Sequence, residues 1–289
     1  MVASATMFGL MAFSAKLASA RLSGPQVAMV RFAIGLLPVL LIGRARRSAL
    51  GFKRWDLLIY RGFFGGLAVL LYFLAIQHMS AGVATLLNYT APVWSGLFSI
   101  LFIGERISPK VLIPVPIAFL GIMLVVRGNA APGETFGFGL WELVGFLSGV
   151  ASGVAVTAMR AARRTETSWS VYASFCIFGV LVTAPFGIST WRTPRGAELA
   201  ALAATAIFAI FAQLTLTFSL RWVDAMTVGV ISQLAVVVAL VLGVIFLDEV
   251  VTPLAALGSV LTISGILGVV YLSSRTTPKA AADEVVPEM

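Results

Sequence analysis

Asn88, Tyr89 and Pro92 gather a carboxamide, a phenol and a helix-disrupting ring within five residues of the run ATLLNYTAPVW. Proline has no N–H to give to the carbonyl four residues back, so Pro92 frees the carbonyl of Asn88. Donor, acceptor and bare carbonyl then meet at one depth. An amide at membrane depth must find partners. Asn88 can line a watery cavity and hold a substrate's amino or carboxylate group, or it can bond a neighbouring helix. The chemistry on offer is binding rather than catalysis. With one His, no membrane-embedded Asp and no metal-ligand spacing, the clustered carboxylates, His pairs or activated nucleophiles of a membrane enzyme are missing.

Other candidates lie in further apolar runs. Tyr72 and Tyr89 sit too deep for an interfacial aromatic belt. Gln213 and Thr217 add amide and hydroxyl groups, and Gln233 and Ser232 fall where a later run matches the Asn88 region. Phe8 and Phe211 are expected to supply aromatic walls. Trp94 can pack or line the cavity. Arg31, nearly two turns inside its run, needs a carbonyl or a substrate carboxylate as partner, whereas Lys16 and Arg61 can snorkel toward an interface. His78 can act as a proton-linked switch or cap a helix end. No cluster of Lys or Arg is expected in this lining, which disfavours phosphorylated substrates. A zwitterion with an apolar or aromatic side chain suits it better.

The elements that must position these groups are transmembrane helices. The 289-residue chain is 60% hydrophobic and 11% charged, far below the roughly 25% charge of a soluble domain. Ten runs of about the 20 residues needed to cross a bilayer can be read, at 2–19, 25–42, 56–77, 81–103, 108–127, 139–160, 168–186, 198–219, 224–247 and 252–272. The single Cys176 falls inside one of them and excludes a disulfide scaffold. The formal charge of +8 does not signal nucleic acid, because the cations crowd into short loops. With both termini cytoplasmic, inner segments hold thirteen of the twenty Lys and Arg, Arg44, Arg46, Arg47, Lys53 and Arg54 among them in one anchoring loop. Outer segments hold only Arg21, Arg127, Arg192 and Arg195, which is the bias that sets orientation.

The chain also repeats itself. Residues 72–126 lie without gaps over 216–270, an offset of 144, with ten identities between 81 and 126. Glu105, Pro109 and Gly121 return as Glu249, Pro253 and Gly265. Five spans per copy would place the second upside down, as in alternating-access transporters. The expectation is an all-α membrane protein of ten helices in two inverted five-helix repeats around a central cavity. Residues 1–127 form the first repeat, 128–138 an external linker, 139–272 the second repeat and 273–289 a polar cytoplasmic tail. In span four, Ala81, Thr85, Asn88, Pro92, Ser95 and Ser99 share an arc of about 80°, and span nine repeats the stripe. Glu105 and Glu249 end these spans. Each is expected to accept N–H groups of the helix that follows, which Pro109 or Pro253 opens, with proton coupling as the other possibility.

The runs NYTAPVWSGLFSILFIGERISP and GIMLVV, echoed by LDEVVTP and SGILGVV, resemble the EamA family of the drug/metabolite transporter superfamily. The likeness covers residues 1–272. It implies a ten-span exporter in the cell's inner membrane, needing no cofactor and no nucleic acid, with lipid and a small-molecule substrate as its partners and a single chain sufficing. It is nearest to bacterial exporters of amino acids, aromatic ones included; other amphipathic metabolites or drugs are the alternative. The second copy departs from the pattern with Val236 for the mid-span proline and Val250 for the arginine after the glutamate.

Overall fold

The computed structural model describes residues 1–103, 113–129, 139–219 and 231–274, and these contain helices and no strand. The helices are α1 Val2–Ala18, α2 Gly24–Gly35, α3 Leu37–Leu41, α4 Gly43–Leu50, α5 Trp55–His78, α6 Ala81–Asn88, α7 Ala91–Phe98 with a π-helical turn over Ser99–Ile103, α8 Val115–Asn129, α9 Leu140–Ala162, α10 Ser168–Ser189, α11 Ala197–Ser219, α12 Leu234–Phe246 and α13 Pro253–Ser274. Among the described residues six segments are long and apolar enough to cross a membrane: Gly24–Leu41, Trp55–His78, Leu140–Ala162, Ser168–Ser189, Ala197–Phe218 and Pro253–Leu272. Val2–Ala18, Val115–Val125 and Leu234–Phe246 are shorter apolar helices.

Helix starts follow local chemistry. The side chains of Ser23, Ser80 and Thr167 accept the N–H groups of Gln26, Val83 and Ser170, each satisfying one free donor of a first turn. One expectation is corrected here: the basic run at 44–47 is not a loop but lies on α4. Arg, Ala and Leu are good helix formers, and Gly51 ends the run.

Helix α5 runs through the middle, packed on α9 and α10, while α1 packs on α11 and α12, α2 on α10 and α11, and α8 on α13. Tyr72, Phe73, Ala75 and Ile76 of α5 form the main core with Met11 and Ala15 of α1, Val27 and Ala28 of α2, and Leu202 and Ala209 of α11. A second core joins Phe32 and Val39 to Tyr172, Phe175 and Cys176. Outside, large apolar side chains such as Leu41, Phe102, Leu181, Phe246 and Val260 are exposed, a surface that suits lipid.

Close helix crossings come in pairs related by the 144-residue offset. A methyl group on Gly121 would strike the main chain of Thr262, and one on Gly265 the main chain of Ala118. Gly35 abuts Cys176 and Gly179 abuts Phe32; Gly9 abuts Val238 and Gly153 abuts Trp94. In every case the second contact is the first with both residues exchanged for their counterparts. Such reciprocity is what an isologous, two-fold contact produces. Small residues permit it, since they let helix backbones approach.

Candidate functional site

Arg31 lies where α2 meets α10, and only 5% of it is exposed. Its guanidinium carbon stands 4.8 Å from the ring centroid of Phe32, 5.5 Å from Phe175 and 6.0 Å from Phe73. These contacts offset part of the cost of removing a cation from water. They do not use its N–H groups, and Nε and Nη1 have no hydrogen-bond partner among the described residues. Arg31 helps to line a small cavity, together with Tyr172, Cys176 and Gln213.

Around this charge the fold collects several residues singled out above. Tyr72 and Tyr89 are near enough to act on it electrostatically, as are Tyr172 and Cys176. The Tyr72 hydroxyl is 2.7 Å from that of Thr85, which in turn donates to the carbonyl of Ala81 at 2.6 Å. Gln213 and Thr217 are buried one turn apart. Thr217 donates to the Gln213 carbonyl at 2.7 Å, and the Gln213 amide reaches the Thr217 hydroxyl at 3.4 Å. Tyr172 donates to the Gly35 carbonyl at 2.9 Å.

Two expectations about the lining need correction. Arg61 does not snorkel: it is 5% exposed and lies 4.1 Å from the centroid of Phe175, the ring that Arg31 also faces. The core therefore does hold a pair of cations. Phe211 is 59% exposed and is no wall of the cavity. Two residues either side of it, Ala209 and Gln213 face inward, and a two-residue step turns a helix by roughly 200°.

Span four breaks at Tyr89 and Thr90. Pro92 sits in the first turn of α7, where its missing N–H is harmless. Val93 donates to Thr90 at 2.9 Å rather than to Tyr89, and the Gln233 amide takes the Tyr89 carbonyl at 3.5 Å. Asn88 turns to α9, donating to Ser148 and Ser152, each at 3.1 Å. Trp94 stands among Phe98, Phe119 and Phe146. Ser232 is half-buried just before Gln233.

At one end of the bundle two charges grip the turn between α5 and α6. Lys16 donates to the carbonyls of Ile76 and Met79 at 2.9 and 2.7 Å, capping the C-terminus of α5. The Glu249 carboxylate accepts the N–H of Ala81 at 2.9 Å, at the positive end of α6. The expected bond from Glu249 to its own following helix is thus corrected. That helix start, at Pro253, is capped by the Thr252 hydroxyl, which accepts from Ala255 at 3.2 Å. Burial pushes the Glu249 carboxyl up from its ordinary range, against the opposing pull of the Ala81 N–H and Lys16. His78 stacks on Trp141 at 3.5 Å between ring centroids. Glu105 and Pro109 lie outside the described residues.

Sequence reasoning missed Tyr172 and Phe175, which with Cys176 occupy one face of α10 at spacings of three and four. It also missed Glu166, buried between α9 and α10, whose carboxylate accepts the N–H groups of Lys53 and Arg54 at 2.7 and 2.6 Å before α5.

An apolar exterior around a buried polar and cationic centre defines a multi-pass membrane protein built to hold a small solute. The chain belongs to the EamA-like transporter family, which matches it twice, over residues 1–127 and 139–271. Among its relatives, the "Pseudopaline exporter CntI" of Pseudomonas aeruginosa is 29% identical over 257 residues, covering 89% of each chain. An "Uncharacterized transporter" of Helicobacter pylori is 26% identical and covers 74% of this chain and 72% of that one. Human "Solute carrier family 35 member G1" is 26% identical over 207 residues, covering 68% of this chain and 56% of that one. A crystal structure superposes with a TM-score of 0.64 at 25% identity, over 95% of this chain and 99% of the other.

Proposed function

We propose that this protein exports small carboxylate-bearing metabolites, amino acids with apolar or aromatic side chains among them, by alternating access. The observation that carries this is Arg31: a buried cation whose Nε and Nη1 have no partner among the described residues, in the wall of a cavity that Phe175, Tyr172 and Gln213 share. An unpaired buried charge is costly, and a substrate carboxylate relieves that cost while aromatic rings take the side chain. The exporter relatives support the direction of transport.

Ten spans in two inverted repeats, with both termini in the cytoplasm and the chain in the inner membrane, complete the reading. The reciprocal contacts at the 144-residue offset support the repeat, and the thirteen-to-four distribution of loop cations supports the orientation. Residues 1–127 and 139–272 then rock about the crossings of α2 with α10 and α8 with α13, exposing the Arg31 site to either side. Binding need only be similar enough in the two states for the loaded protein to switch. Uptake of a panel of labelled amino acids into liposomes holding the purified chain, with and without an imposed pH gradient, tests this. Accumulation above protein-free liposomes is expected; no uptake of any carboxylate-bearing solute would reject it.

A further inference from the structure

Arg61 sits beside Arg31, and among the described residues no carboxylate answers either of them. The guanidinium carbons lie 4.1 and 5.5 Å from the same Phe175 centroid. Arg61 comes within reach of Arg31's charge, and the other group acting on it is Cys176. Nε of Arg61, like Nε and Nη1 of Arg31, has no hydrogen-bond partner among the described residues. The ion pairs among the described residues, Arg21 with Glu198 and Arg54 with Asp56, lie elsewhere.

Two buried like charges set around one ring repel one another, and each has given up its water. Aromatic faces stabilise a guanidinium from one side only; its edge still calls for planar acceptors, which carboxylates present as a matched pair of oxygens. A neutral zwitterion answers only half of this demand. It brings one carboxylate, and its ammonium group adds a third positive charge beside the two arginines.

On the export reading above, we infer that Arg31 and Arg61 form a double anion site selecting substrates with two acidic groups and an apolar or aromatic body. Arg31, which lines the cavity, takes the first carboxylate. Arg61, on the α5 side of Phe175, sets the preference for a second. Neutral amino acids are the weaker ligands of the same site.

Counterflow in liposomes holding the full chain tests this with three labelled probes: benzylsuccinate, a dianion; phenylalanine, a zwitterion; and phenethylamine, a cation. Half-saturation is expected at a concentration at least tenfold lower for benzylsuccinate than for phenylalanine, with phenethylamine not carried. Arg61→Met should erase that margin, and Arg61→Lys should keep most of it. Arg31→Met should weaken both carboxylates at least tenfold. Phenylalanine binding as tightly as benzylsuccinate in the unmodified protein overturns the inference, as does a margin that survives Arg61→Met. Should Arg61→Met not insert, the comparison of probes on the unmodified protein decides alone. Transport of phenethylamine with neither carboxylate carried would instead overturn the export reading itself.

Discussion

Gln233 donates its side-chain amide to the main-chain carbonyl of Tyr89, 3.5 Å away and 144 positions earlier in the chain. The two residues are counterparts in the repeat, so the bond joins a position to its own equivalent. The inverted arrangement proposed above would place such a pair at its two-fold axis. Thr262 and the Ala118 carbonyl, also 144 apart, form a second such pair at 3.5 Å. On that reading the axis would pass through the break in span four and the crossing of α8 with α13.

Gln233→Leu should therefore impair transport more than stability. A neutral bond this long contributes about 1 kcal/mol or less, yet it holds the broken turn beside the Arg31 site. The expected result is a fall in uptake of several-fold at normal membrane abundance, measured in liposomes against thermal unfolding in detergent. Equal uptake by the variant would remove Gln233 from the working machinery.

Asn88→Ala should act differently, because its amide joins α6 to α9 through Ser148 and Ser152. Loss of two partly buried hydrogen bonds costs about 1–3 kcal/mol, so a lower unfolding temperature is expected. Combining it with Ser148→Ala and Ser152→Ala should show strong non-additivity. A full additive loss would mean that the tether is not what Asn88 contributes.

Glu249 gives a pH dependence. Its carboxyl titrates above 4.5 in the folded protein because burial disfavours the ionised form. Between the unfolded and folded pKa values the native state binds more protons, so this group's contribution to stability is greatest in acid and declines as pH rises through that window. The bond to Ala81 continues after ionisation, since a carboxylate accepts it better than the neutral acid does, which is why it opposes the upward shift. Glu249→Gln should flatten the decline in unfolding temperature as pH rises above the ordinary carboxylate range. A decline of the same slope in the variant would assign the titration to another group.

Gly121 and Gly265 should tolerate nothing larger. A side chain on either meets main-chain atoms of the facing helix, α13 for Gly121 and α8 for Gly265, and backbone cannot rotate away as a side chain can. Gly121→Val and Gly265→Val are each expected to abolish insertion or lower membrane abundance many-fold on immunoblots. Normal abundance of both would show that the two helices can stand further apart.

Much of this was legible in the chain. The 144-residue repeat is written in Glu105 and Glu249, Pro109 and Pro253, and Gly121 and Gly265, because turns and close crossings restrict residue types. Tyr72, Tyr89, Gln213 and Arg31 could be picked out because a polar group in an apolar run always needs a reason. Their partners could not. Arg61 reads as an interfacial anchor until α10 lays Phe175 against it. Glu249 reads as a local turn-former until Ala81 is found 168 positions away. The outward face of Phe211 depends on which side of α11 meets α2, and tertiary packing alone decides that.

Orientation remains the most direct test of the inverted arrangement. Arg46, on exposed α4, and Thr193, in the exposed stretch between α10 and α11, occupy nearly corresponding places after the second helix of each repeat. In a parallel arrangement both would face the same compartment. In the antiparallel one they face opposite compartments, Arg46 the cytoplasm and Thr193 the outside. Cys176 is buried, so a Cys176→Ala background leaves introduced thiols as the reporters. Arg46→Cys should resist an impermeant maleimide in intact cells and react after permeabilisation, whereas Thr193→Cys should react in both. Labelling of both from outside, or of neither, would sink the five-plus-five inverted model and with it the rocking of one repeat against the other.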